Sequence, residues 1–231
     1  MYEEVSAGPP SLALTLAETF RPSLELATLF AAAPLLWAAP RGDGRKVLVL
    51  PGFSLDDTST YCLRSYLTFL GYHVSGLGMG PNFGDRTLGS DSRRLGAKID
   101  GHRGEGKIIL IGHSLGGVVA RQYARRHPDQ IERVICLGSP FAGDETSMNE
   151  GVVWLRRHMT GEDRSIVTDR SPLPVPHTVI YSRSDGVVSP FDCRDSADDA
   201  DNIEVPGSHI GLVVNAAAFR IIAERLAQIA A

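Results

Sequence analysis

The sequence predicts an α/β fold built on a mostly parallel sheet of about six strands, with helices on both faces. Three observations carry this. Short apolar runs recur from residue 47 to residue 205, and segments of helical period separate them. Strand, helix, strand at this spacing demands right-handed crossovers between parallel neighbours. At 231 residues, 43% of them hydrophobic, the chain has the length and the apolar material for one such unit, taken here as a single domain over 1–231.

The strand candidates are Val47–Leu50, His73–Leu77, Ile108–Ile111, Val134–Leu137, Thr178–Tyr181 and Ile203–Val205. Between the first two lies a helix with Leu63, Tyr66, Leu67 and Leu70 on one face, stopped by Gly71. After the third comes Leu115–Arg126. Its end, Arg125-Arg126-His127-Pro128, sets cations at the negative pole of the helix dipole and then a proline that cannot continue the helix. The last helix, 216–229, carries Phe219, Ile222, Leu226 and Ile229.

Residues 1–44 read as a helical, amphipathic segment, with Leu14, Phe20, Leu24, Leu26, Leu29 and Leu35 among small residues. Such a segment covers a sheet face, closes a pocket or touches lipid; packing on the protein's own core is the expected use. Residues 141–177 are long for a simple crossover. They hold an expected helix around Val152–Met159 and then Ser171-Pro172-Leu173-Pro174-Val175-Pro176, which fits either an ordinary crossover or a short lid.

Composition sets further bounds. The net charge of −4 lacks the concentrated basic footprint of a nucleic-acid binder. Cys62, Cys136 and Cys193 are too few and too scattered for a disulfide framework or a zinc site, and Cys136 in its apolar run reads as a buried small hydrophobe. The start, Met1-Tyr2-Glu3-Glu4-Val5, is acidic where a secretory signal is basic. The longest uncharged stretch there, Leu26–Pro40, contains Pro34 and falls short of the ~20 residues that span a bilayer. A cytoplasmic protein with no membrane span is the expectation.

The chemistry concentrates at Gly112-His113-Ser114-Leu115-Gly116-Gly117. Gly-x-Ser-x-Gly alone is a weak signal; its context is what matters. It follows the apolar run Lys107–Ile111 and opens a helix, the setting of a strand-to-helix turn that exposes a serine Oγ in a strained backbone conformation. Glycines two before and two after remove Cβ atoms that would collide across that turn. The helix start also offers the Leu115 N–H to a developing negative charge.

A serine needs a base near neutral pH, and the base needs an acid to orient it. In chain order these follow later strands. Thr178–Tyr181 runs into Ser182-Arg183-Ser184-Asp185-Gly186-Val187-Val188, and Ile203-Glu204-Val205 runs into Pro206-Gly207-Ser208-His209. Asp185 and His209 therefore sit at carboxyl ends of strands, where open α/β sheets place their sites. The competing Asp192, Asp195, Asp198, Asp199 and Asp201 read as a solvated acidic loop. His113 is expected to point away from the serine, and His177 comes too early, at the start of a strand. A second oxyanion donor is expected from Pro51-Gly52-Phe53-Ser54 after the first strand, with the Phe53 N–H as candidate. Gly78-Met79-Gly80-Pro81-Asn82-Phe83-Gly84 fails the Gly-x-Gly-x-x-Gly spacing of a nucleotide cradle and reads as a turn lining one side of the cleft.

On these residues the chain resembles the bacterial lipase/esterase branch of the α/β-hydrolase superfamily, from Lys46 to the C-terminus. The carriers are Pro51-Gly52-Phe53, Gly112–Gly117, Ser184-Asp185-Gly186-Val187-Val188 and Gly207-Ser208-His209. The resemblance implies ester hydrolysis through an acyl-enzyme on a small-molecule acyl ester, with no metal or organic cofactor. It assigns Ser114 as nucleophile, His209 as general base and acid, Asp185 as orienting acid, and Phe53 and Leu115 as oxyanion donors. Phe83 and Trp154 are the expected substrate-binding aromatics. Two departures stand out: Pro51-Gly52 replaces the His-Gly common at the oxyanion loop, and the first two antiparallel strands of the full fold are replaced by the helical N-terminal segment. A thioesterase or acyltransferase uses the same three residues, and a silent binding module is the alternative from another class.

Overall fold

The computed structural model describes residues 8–84, 92–141, 153, 171–197 and 200–228. Six strands form one sheet: β1 (Lys46–Leu50), β2 (His73–Gly76), β3 (Ile108–His113), β4 (Ile131–Leu137), β5 (His177–Tyr181) and β6 (Asp201–Glu204). Their order is β2-β1-β3-β4-β5-β6, and every neighbouring pair is parallel. All six coincide with the expected runs to within a few residues at each end. The chain first steps outward from β1 to β2, then crosses back to lay β3 on the other side of β1. That reversal is the switch point at which open parallel sheets bind their ligands.

The central strands are buried on both faces, which is why they read as continuous apolar runs. Alternation along them divides the core. Val47, Val49, Ile109, Ile111 and Ile135 face one layer, and Leu48, Leu50, Ile108, Leu110, Val134 and Cys136 face the other. In chain order the principal helices are α1 (Leu12–Ala17), α2 (Arg21–Ala31), α3 (Ala33–Trp37), α4 (Tyr61–Leu70), α5 (Ser92–Arg103), α6 (Leu115–Arg126), α7 (Pro190–Cys193) and α8 (Ala216–Ala227). Leu63 and Leu67 of α4 and Phe219 and Ile222 of α8 cover the first layer; Leu95 and Ile99 of α5 and Val118 and Val119 of α6 cover the second. Helix α4 ends at Gly71 with φ 107°, the left-handed cap its sequence predicts. Burial raises the Cys136 thiol to about 11, in keeping with a small core hydrophobe.

Helix α5 has no strong sequence signal. Its segment, Ser-Arg-Arg-Leu-Gly-Ala-Lys-Ile-Asp-Gly-His-Arg, contains two glycines, and only Leu95 and Ile99, one turn apart, reach the core. Tertiary packing of that single pair overrides poor propensity.

The N-terminal segment is helical as expected, but in three short pieces, with Pro22 and Pro34 near the starts of α2 and α3. The expected apolar stripe is corrected. Leu29 is buried, whereas Phe20, Leu24 and Leu35 are exposed, and Glu18 is among the residues turned inward. Among the described residues, no helix is long and apolar enough to cross a membrane.

The acidic loop also departs from expectation. Asp195 is buried and takes Arg121 Nη2 at 2.7 Å and His177 Nε2 at 2.9 Å on one oxygen. Asp192 is buried as well, Asp201 pairs with Arg225 at 2.6 Å, and Asp198 and Asp199 lie outside the described residues. Arg121 lies beneath the sheet, 1% exposed, with its guanidinium carbon 3.8 Å from the centre of the Phe141 ring. Spacing along the chain does not show that a cation waits there. Asp195→Ala should therefore destabilise the fold by ~3–5 kcal/mol in urea unfolding, because it strands a buried arginine. Exchanging both partners, Arg121→Met with Asp195→Leu, should cost far less; equal losses would mean the pair is not coupled.

Of residues 141–177, Phe141, Leu173 and Val175 are buried and Val153 is helical. Trp154 and the rest of the expected Val152–Met159 helix lie outside the described residues.

Candidate active site

Ser114 stands between β3 and α6 with φ 52° and ψ −121°, a conformation rarely adopted by a residue with a side chain. The turn is held by the Ser114 N–H donating to the Leu137 carbonyl at 2.8 Å. A Cβ on Gly112 would strike the Gly116–Gly117 backbone, and one on Gly116 would strike the Leu50 carbonyl. The glycine spacing thus reflects backbone touching backbone, as the motif requires.

Asp185 and His209 follow β5 and β6 and are both buried. His209 Nδ1 lies 2.6 Å from Asp185 Oδ2, while Asp185 Oδ1 accepts the Val187 and Val188 N–H groups at 2.8 Å each. Both carboxylate oxygens are committed, so the imidazole is oriented from one side. Burial pulls the His209 pKa down, but the Asp185 charge and hydrogen bond outweigh it and leave His209 raised above its ordinary 6.5. The two loops are tied together by Ser182 and Ser184, whose hydroxyls donate to the Gly207 carbonyl at 2.6 and 3.0 Å.

His113 shows how the serine and histidine loops meet. Its Nε2 donates to the His209 carbonyl at 2.9 Å, and the two rings lie 5.0 Å apart. Burial and the neighbouring His209 lower its pKa to about 3, so it acts as a neutral donor. The side chain expected to point away from Ser114 thus braces the residue that Ser114 would use. Among the described residues, no hydrogen bond joins the Ser114 hydroxyl to His209; what brings them to one end of the sheet is this His113 contact and the sheet itself.

The loop after β1 lies across the switch point from the Ser114 turn. An ideal Cβ on Gly52 would sit 3.3 Å from Ser114 Cβ, so the two turns touch. Ser54 has φ 58°, and its N–H donates to the Asn82 carbonyl at 2.8 Å. Asn82 Nδ2 in turn donates to the Pro51 carbonyl at 2.8 Å. Asn82 is a buried anchor of this loop that the sequence did not single out. Among the described residues, the Phe53 amide has no acceptor, and Leu115, as the first residue of α6, carries one of the orphan N–H groups of a helix start. Phe53 and Phe83 meet edge to face with ring centres 5.7 Å apart, which sets the 78–84 turn against the loop after β1.

The family model described as the alpha/beta hydrolase fold matches residues 50–157. A 77-residue stretch is 32% identical to Lipase LipV of Mycobacterium tuberculosis, covering 33% of this chain and 29% of that one. The matched segments span less than a third of the curated relatives' own lengths. Among solved structures, a serine hydrolase involved in carbazole degradation, the CarC enzyme, superposes with a TM-score of 0.58 at 19% identity, over 81% of this chain and 92% of that chain. The Paleococcus ferrophilus monoacylglycerol lipase does so at 0.58 and 18%, over 82% and 97%. The fold of this chain is the α/β-hydrolase fold, in a form whose sheet has six parallel strands among the described residues.

Proposed function

We infer that this chain, with its α/β-hydrolase fold, is a serine hydrolase that cleaves carboxylic esters through an acyl-enzyme. The observation that carries the reading is the 2.6 Å contact of a buried His209 with a buried Asp185, in a chain that also holds a serine at φ 52° on a strand-to-helix turn. A strained serine, an oriented base and an acid with both oxygens occupied are the parts that nucleophilic acyl transfer needs.

In this mechanism His209 Nε2 takes the Ser114 proton as Oγ bonds to the ester carbonyl carbon. The negative charge passes to the carbonyl oxygen, which the Phe53 and Leu115 N–H groups receive. The C–O bond to the alcohol breaks as His209 returns the proton to the departing oxygen. Water then gives a proton to His209 as it attacks the acyl-enzyme, and His209 passes that proton to Ser114 Oγ as the acyl–Oγ bond breaks and the acid leaves. Asp185 keeps the proton on His209 Nδ1, so that Nε2 presents its lone pair to the serine.

The Phe53–Phe83 wall suits an apolar acyl chain. Each buried CH₂ adds ~0.8 kcal/mol until the cleft ends, after which the chain protrudes into water and the gain stops. On p-nitrophenyl esters, kcat/KM is expected to rise from acetate, peak at ~4–8 acyl carbons and decline beyond. No hydrolysis across the series would defeat the esterase reading. A rise continuing to palmitate with interfacial activation would make the substrate a long-chain lipid. Thioesters and added alcohols as acceptors, run in parallel, separate the thioesterase and acyltransferase variants of the same chemistry.

A further inference from the structure

The segments carrying Asp185 and His209 leave the ends of β5 and β6, and their backbone donors converge on one side chain. Glu18, buried at the end of α1, reaches between them. Its Oε1 accepts the Gly186 N–H at 2.9 Å and the His209 N–H at 2.7 Å; its Oε2 accepts the Ile210 N–H at 3.0 Å. The neighbouring turns add to the clamp. Arg21 donates to the Ser184 carbonyl at 2.6 Å and to its hydroxyl at 2.9 Å, and Glu25 accepts the Ser208 N–H at 2.7 Å. Glu18, Arg21 and Glu25 are the only charged residues between positions 8 and 40, and all three are turned onto these two loops. The approach is close enough that a Cβ on Gly186 would collide with the Leu14 carbonyl.

We propose that Glu18 is a positioning residue for His209 and Asp185, splinting their two loops into one rigid unit and setting a negative charge beside the base. The inference rests on the Ser114–His209–Asp185 reading above. Its physical basis is the match between a carboxylate, which only accepts hydrogen bonds, and three convergent N–H donors. A neutral amide would turn two donors of its own toward that group. The groups facing His209 are Asp185 from the loop after β5, the neutral His113 at the end of β3 and Glu18 from α1. Of the two carboxylates, Glu18 bonds the backbone and leaves the ring to Asp185. Both favour the imidazolium, so losing the Glu18 charge lowers the His209 pKa.

The test uses the full chain with p-nitrophenyl butyrate. Glu18→Gln should lower kcat by about 10²-fold, the scale of a misplacement near 1 Å, with KM little changed. The acidic limb of kcat/KM should move to lower pH in the same variant. Glu18→Asp keeps the charge but withdraws it by one methylene, so kcat should fall while the limb stays nearer its wild-type position. Wild-type kcat and an unmoved limb in Glu18→Gln would overturn the proposal. Lost kcat with an unmoved limb would also overturn it, by reducing Glu18 to a structural support. Should Glu18→Gln not fold, Glu18→Asp decides: a reduced kcat with the limb moved part of the way to lower pH supports the proposal, and wild-type kcat or an unmoved limb overturns it. Fluorophosphonate labelling of wild-type Ser114 keeps the two readings apart. Absence of label removes the underlying mechanism, whereas label with unaffected Glu18 variants removes only the role of Glu18.

Discussion

Ser114→Ala should leave the protein folded and lower kcat by ~10⁴-fold or more, the scale on which such triads fail. The two halves of that result have separate reasons. Ser114 makes no side-chain cap to α6, so losing the hydroxyl costs the helix no hydrogen bond. Alanine also keeps the Cβ, so the strain at φ 52° is neither relieved nor increased. What disappears is the only atom proposed to bond to the substrate. Thermal unfolding and circular dichroism should match wild type, while p-nitrophenyl butyrate turnover and fluorophosphonate labelling are lost. Near-normal turnover by a folded Ser114→Ala protein would sink the assignment of the nucleophile.

Asp185→Asn should be comparably severe, at ~10⁴-fold in kcat, for a different reason. Asp185 Oδ1 is held by the Val187 and Val188 N–H groups, so the asparagine must keep its oxygen there and turn its NH₂ toward His209 Nδ1. That donor demands a lone pair on Nδ1 and moves the imidazole proton to Nε2, where it blocks the approach to Ser114. Loss of the charge also removes an influence that raises the His209 pKa, so whatever activity remains should have its acidic limb at lower pH. Asp192→Asn is the control, since Asp192 is buried on the same stretch while it is Asp185 that takes His209 Nδ1. A larger loss at Asp192 than at Asp185 would move the orienting acid along the loop and leave the fold untouched.

The strands and most helices were legible because each is written in a local period. Val47–Leu50 and Ile108–Ile111 are uniformly apolar since both faces are buried, and Leu63, Tyr66, Leu67 and Leu70 mark one face of α4. The turn at Ser114 is equally local: its glycines and its place between strand and helix lie within six consecutive residues. Helix α5 was not legible, because its structure rests on two core residues among glycines and charges.

The placement of Asp185 and His209 at strand ends followed from chain order alone, since parallel strands send all their carboxyl ends to one side. Their partners did not follow. His113 braces His209 across 96 residues, Asp195 neutralises Arg121 across 74, and Glu18 holds the His209 amide across 191. A hydrogen bond between residues so far apart leaves no period or spacing in the chain. An inward carboxylate such as Glu18 therefore looks, in one dimension, like any polar position on an amphipathic helix. Only packing α1 and α2 against the ends of β5 and β6 decided that Glu18, Arg21 and Glu25 turn onto these two loops while Phe20, Leu24 and Leu35 meet solvent.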